Sequence, residues 1–266
     1  MLKRIAVFLA ALTLSAALCG CGAPAQEEDP LDRPVPSAQE NEEETFPSPG
    51  REPEETAAPE ETPAPEPVPA LIFDEAALEE MPHREEYLRL HALNKEVTGW
   101  LTVPNTQIDY AVALGGDNDY YLSHTLEGEN SKSGAIFFDY RTDEALSCRH
   151  LIVYGHNMKA GTMFHDLGSY KHKDFFENNR IITLWAGSEQ RQYEVYAAFI
   201  APEDVYFIRE KFQNDQHFLE YMAQLRQYSK FPTDTVLEPD DQILTLVTCT
   251  YEEENARFVV QARRIA

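Results

Sequence analysis

From residue 99 onward the apolar positions fall in short runs of β type, at 100–103, 108–114, 135–139, 150–154, 180–185, 192–200, 243–249 and 258–265. These runs are rich in Val, Ile, Tyr, Phe and Thr, and turn residues such as Pro104-Asn105 and Gly115-Gly116 separate them. Two stretches have helical spacing instead. Over 74–97 the apolar positions are Leu78, Met81, Tyr87, Leu88, Leu90, Leu93 and Val97, and Pro82 is expected to split this helix in two. Over 208–228 they are Phe212, Phe218, Leu219, Met222, Leu225 and Tyr228. Eight short strands, an entering helix and one late helix predict a mainly β domain. A closed or nearly closed β-barrel of about eight strands fits, with a helix inserted ahead of the 243–249 strand. Periodicity alone fits a sandwich as well.

The first 70 residues have a different pattern. Lys3 and Arg4 precede an uncharged, mostly apolar run of 14 residues from Ile5 to Leu18. This is the form of a secretory signal, and it falls short of the ~20 apolar residues that a spanning helix needs. Leu18-Cys19-Gly20-Cys21 resembles a bacterial lipobox, which implies cleavage before Cys21 and lipid on its thiol. The other reading is an uncleaved signal-anchor over 1–21. Either one puts the rest of the chain on the extracytoplasmic face, held to the membrane by its N-terminus. Residues 22–70 hold 12 of the 17 prolines and 14 Asp+Glu against only Arg33 and Arg51, a net charge of -12. Such a stretch has too little apolar surface to offset chain entropy. It reads as a disordered, extended, acidic Pro-rich tether. The single folded domain is 71–266.

Charge narrows the partners. The whole chain has a net charge of -24, which excludes a nucleic-acid partner and unaided docking on an anionic membrane. Four cysteines in 266 residues exclude a disulfide scaffold. None sits in a Cys-x-x-Cys or Cys/His ligand spacing, so no metal and no cofactor is expected.

The candidate chemistry lies at strand ends. Strand alternation puts Ile243, Thr245, Val247 and Cys249 on one face, with Cys249 last before the polar loop 250–256. A thiol at a strand end can meet a substrate, whereas one in mid-strand acts as a small apolar side chain. If 243–249 and 257–265 form a hairpin, Arg257 stands nearly opposite Cys249. A guanidinium there favours the thiolate and can donate to an oxyanion. At the exit of another apolar strand, 151–154, Gly155 presents His156, a candidate general acid and base. His124, His150, His165 and His172 are alternatives. Cys148 reads as a packing residue.

These residues resemble a known family. Thr-Leu-Val-Thr-Cys at 245–249 is similar to the Thr-Leu-x-Thr-Cys signature of sortases, the cysteine transpeptidases of Gram-positive cell surfaces. Tyr154-Gly155-His156-Asn157-Met158 with Gly161-Thr162-Met163-Phe164 resembles the histidine segment of class B sortases. So do the stretches 100–110 and 118–122, and the helical insert at about 208–228. The resemblance runs from about 75 to 265. It implies a sortase-type barrel with Cys249 as nucleophile, His156 as general acid/base and Arg257 as the oxyanion-stabilising arginine. It also implies that Asn118, Leu122 and Thr248 line the substrate groove. The implied activity is cleavage after Thr in a C-terminal sorting motif of Asn-Pro-x-Thr type on secreted proteins. Transfer through a thioester to a cell-wall or peptidoglycan-precursor amine would follow. A lipobox-like end and a long acidic tether depart from the family's usual transmembrane anchor. A thiol peptidase using the same residues, and a non-enzymatic binding lipoprotein, are the alternatives.

Overall fold

A computed structural model describes residues 71–202, 205–249 and 256–266. The signal, Cys21 and the tether lie outside the described residues, as does most of the loop that follows Cys249. Eight strands close a barrel in the order β1-β2-β3-β4-β7-β8-β6-β5. They are β1 (Val97–Thr102), β2 (Asp109–Leu114), β3 (Ile136–Phe138), β4 (His150–Tyr154), β5 (Ile181–Ala186), β6 (Glu189–Ala201), β7 (Ile243–Cys249) and β8 (Arg257–Arg264). The antiparallel pairing of β1 with β5 closes the ring, so no strand of it is left as an open edge. All eight sequence-predicted strands are present, with ends shifted by at most three residues.

Two neighbouring pairs are parallel, β2 with β3 and β4 with β7. A parallel neighbour needs a long crossover. Between β4 and β7 that crossover carries β5, β6 and the helix α4 (Asp215–Arg226). Alternation divides the strand residues into two sets. Leu101, Val112, Ile136, Phe138, Leu151, Val153, Leu244, Leu246 and Val260 fill the interior. The outward set packs under the helices. Phe218, Met222 and Leu225 of α4 cover Tyr196, Phe199, Ile243 and Val259. Tyr121, from the short helix α2 (Tyr120–Ser123), covers Phe137, Ile152, Tyr154 and Val247. Burying a side chain such as Phe218 or Met222 contributes about 1.5–3 kcal/mol.

The helices differ in places from their sequence patterns. The helix expected over 74–97 is only α1 (Arg84–Leu93). Residues 75–80 form turns, and His83 adopts a left-handed conformation (φ 60°) just after Pro82. Val97 belongs to β1. The late helix starts at Asp215 rather than 208, because the Asn214 side chain accepts from the His217 N–H and caps it. Three short elements have no clear signal in the sequence: α2, a 3-10 turn at His165–Lys171, and α3 (Lys173–Asn178).

Candidate active site

Three strands that are neighbours in the barrel position the three candidate residues, Cys249 and Arg257 at strand ends and His156 two residues past the end of β4. β4 and β7 run parallel with Tyr154 opposite Val247. Two residues further along each, His156 and Cys249 come level. On the other side of β7 the antiparallel register pairs Cys249 with Arg257, as the hairpin argument expects. Adjacent strands lie ~4.8 Å apart. The order across this barrel end is therefore His156, just past the end of β4, then Cys249 on β7 and Arg257 on β8.

The histidine is rigidly held. It is 1% exposed. Its Nε2 lies 2.7 Å from the Leu122 carbonyl oxygen. A carbonyl only accepts, so Nε2 carries a hydrogen and donates it. The His156 carbonyl accepts from the Phe164 N–H at 2.8 Å, which folds the 156–164 loop back on itself. That loop turns at Gly161 (φ 83°) and Met163 (φ 57°). The Met163 N–H is tied to the Tyr110 hydroxyl at 3.0 Å.

Two bonds tie the β4 exit to the end of β7. The Gly155 N–H donates to the Val247 carbonyl at 3.2 Å. The Thr248 hydroxyl donates to the Gly155 carbonyl at 2.7 Å. Thr248 is thus buried and fastened to the segment that presents His156. Gly155 leaves no room for a side chain, since a Cβ there would lie 2.4 Å from Ile136 Cδ1.

The other expected site residues have clear positions. Leu122 holds His156 through its carbonyl, and its half-buried side chain packs on the cluster of Tyr121, Tyr154 and Val247. The segment before it is shaped by Asp117, whose carboxylate accepts from the N–H groups of Asp119 and Tyr120. Asn118 is buried: its Nδ2 donates to Asp139 at 3.1 Å and its Oδ1 accepts from the Tyr140 N–H at 3.0 Å. Arg257 opens β8 and is half-buried.

The alternative histidines lie elsewhere. His124 stacks on Tyr120 at 4.2 Å. His165 and His172 are exposed. His150, at the far end of β4, is buried between the Thr245 hydroxyl and the Arg209 carbonyl, each at 2.7 Å. Burial pushes its pKa down to about 4. Cys148 is a free thiol, and burial pushes it up to about 12, far from a reactive thiolate.

Sequence reasoning missed one group beside the site. Asp139 follows β3 and is fully buried, where it gathers Asn118, Arg141 and the Tyr154 hydroxyl. Burial alone would raise its carboxyl, but Arg141 above all, with Tyr154, holds it below the ordinary carboxylate value. The available signal was an acidic residue ending an otherwise apolar strand, followed two residues later by Arg141.

The chain is similar to known proteins in sequence and in fold. The family model "Sortase domain" matches residues 101–265. Sortase B of Listeria monocytogenes is 36% identical over 184 residues, covering 68% of this chain and 75% of that protein. The structure of a mutant form of Clostridium perfringens sortase B superposes with a TM-score of 0.66 at 31% identity, covering 72% of this chain and 95% of that one. A Staphylococcus aureus sortase B–substrate complex superposes with a TM-score of 0.65 at 30% identity, covering 71% and 88%.

Proposed function

Because the chain belongs to the class B sortases, which are cysteine transpeptidases of surface-protein anchoring, we propose that it cleaves an Asn-Pro-x-Thr-type motif after Thr and joins the new end to a cell-wall amine. The observation that carries this reading is the register of β4, β7 and β8, which brings His156, two residues past the end of β4, beside Cys249 at the end of β7 and Arg257 at the start of β8.

In the first step Cys249 sulfur, as thiolate, attacks the Thr carbonyl carbon. The negative charge that develops on the carbonyl oxygen accepts hydrogen bonds from Arg257. His156, as imidazolium, gives its proton to the leaving amine as the C–N bond breaks. Its Nε2–H stays committed to the Leu122 carbonyl, so Nδ1 is the nitrogen that exchanges the proton. The product is a thioester on Cys249. In the second step the acceptor amine attacks the thioester and passes a proton to His156. The C–S bond breaks, a new amide forms and the thiolate returns. Asn118, Leu122 and Thr248 border the substrate groove in this reading, Thr248 through its hold on Gly155.

We further propose attachment at the extracytoplasmic face through the N-terminus, by lipid on Cys21 or a signal-anchor. Among the described residues no helix is long and apolar enough to cross a membrane. The anchor belongs to residues outside them.

The test uses the full chain in detergent with a fluorogenic Asn-Pro-x-Thr peptide, with and without an amine acceptor, beside Cys249→Ala, His156→Ala and Arg257→Ala. Wild-type cleavage with amine-dependent ligated product, lost in all three variants, is the expected result. Cleavage with no ligation at saturating amine would turn the assignment toward a thiol peptidase. Full activity of any of the three variants would overturn that residue's role.

A further inference from the structure

The charged cluster around Asp139 takes part in no step above, yet it bonds both Asn118 and the segment that carries Ile208 and Glu210. One carboxylate oxygen of Asp139 accepts from the Arg141 N–H at 3.0 Å and from Arg141 Nε at 2.7 Å. The other accepts from Asn118 Nδ2 at 3.1 Å, the Tyr154 hydroxyl at 2.9 Å and Arg141 Nη2 at 2.8 Å. Five donors on one buried carboxylate make a rigid ionised anchor.

Arg141 spans from this anchor to the strap 205–210, which joins β6 to α4 without regular structure. Its Nη2 donates to the Ile208 carbonyl at 3.3 Å, and its Nη1 pairs with the Glu210 carboxylate. Backbone groups outside regular structure must find partners elsewhere, and those of Tyr206 and Arg209 find them in side chains. His150 Nδ1–H donates to the Arg209 carbonyl at 2.7 Å. The Tyr221 hydroxyl donates to the Tyr206 carbonyl at 3.0 Å and accepts from the Arg209 N–H at 3.2 Å. The strap therefore carries Phe207 and Ile208 onto the cluster of Tyr154, Val247 and Leu122 beside the catalytic strand ends.

We propose that Arg141 is a positioning residue for the sorting peptide. Seated on Asp139, it holds Phe207 and Ile208 in place on the cluster they share with Leu122 and so sets the shape of the surface that the peptide would meet there. This inference rests on the sorting-peptide reading above. Apolar packing alone would let the strap slide, whereas a fork of N–H donors fixed at one end specifies its position.

The test compares the full-length wild type with Arg141→Ala, Arg141→Lys and Glu210→Gln in three measurements. For the peptide, Arg141→Ala is expected to raise KM about tenfold or more while kcat stays within about threefold, with Arg141→Lys in between. Alkylation of Cys249 by a small reagent, read by mass spectrometry on the peptide that contains it, needs no groove and should stay within about twofold. Hydrogen exchange over 205–210 should accelerate about tenfold or more in Arg141→Ala. An unchanged KM, a loss in kcat alone, or a matching fall in Cys249 alkylation would overturn the proposal. Unchanged exchange in the strap would do so too. If Arg141→Ala does not fold, Glu210→Gln keeps the Asp139 pair and should show the same pattern with a smaller rise in KM. If the wild type turns over no such peptide, the functional reading fails, and the exchange measurement still decides whether Arg141 holds the strap.

Discussion

Replacing Gly155 with Ala adds one methyl group at the hinge between β4 and His156. That Cβ would sit 2.4 Å from Ile136 Cδ1 and 2.8 and 2.9 Å from Phe164 Cγ and Cδ2. Ordinary contact begins near 3.4 Å, so 3.4 minus 2.4 leaves Ile136 about 1 Å to retreat. Ile136 is 1% exposed and Phe164 is fully buried, so neither has open space to enter. Overpacking of this kind costs about 1–3 kcal/mol. At 2–4 °C per kcal/mol for a domain of this size, a midpoint value of ~2 kcal/mol lowers Tm by about 4–8 °C. The effect on turnover should be larger in proportion. Phe164 N–H holds the His156 carbonyl at 2.8 Å, so a shift of Phe164 carries the histidine segment with it. A misplacement near 1 Å costs about 10²-fold in rate. The assay is thermal unfolding alongside peptide turnover for Gly155→Ala, Ile136→Val and the double variant. Ile136→Val removes the closest atom and alone costs about 0.5–1.5 kcal/mol. The double variant should therefore be less destabilised than the sum of the singles. Wild-type Tm and turnover in Gly155→Ala, or strict additivity in the double, would refute the steric argument.

Two other perturbations have definite signs. Thr248→Val keeps the volume but removes the hydroxyl that reaches the Gly155 carbonyl. A buried acceptor losing its partner costs about 1–3 kcal/mol, so denaturant melts should show that loss and kcat should fall more than KM rises; unchanged stability would show that the bond contributes nothing. His150 has a folded pKa of about 4 against an ordinary 6.5, so the unfolded chain binds more protons between those values. Its contribution is then fully present above pH 6.5 and is lost as pH falls toward 4, on the order of 3 kcal/mol in all. The stability–pH curve of His150→Gln should be flatter than wild type across pH 4–6.5, and an identical slope would remove His150 from the account.

Much of the barrel was legible because strand alternation and turn residues are local signals. The β7–β8 hairpin is the clearest case: a loop between two apolar runs predicted that Cys249 would face Arg257, and the register pairs them. The relation between β4 and β7 was not legible from pattern. They are parallel and separated by two strands, two α-helices and a 3-10 turn, so only the closed ring brings His156 near the level of Cys249. Nor could pattern show that Thr248, beside the cysteine, fastens Gly155 through its hydroxyl. The largest omission was Asp139 with Arg141. Nothing in an Asp and an Arg two residues apart marks them as buried, since such residues are mostly exposed. Here the apolar run of β3 carries Asp139 into the core, where its charge is stable only because five donors converge on it. Those donors come from three separate segments, at 118, 141 and 154. That convergence depends on long-range topology, so no window of the sequence contains it. The proposed trio of His156, Cys249 and Arg257 has the same origin. Each residue is locally ordinary, and the site exists because three consecutive strands of a closed sheet end at the same level.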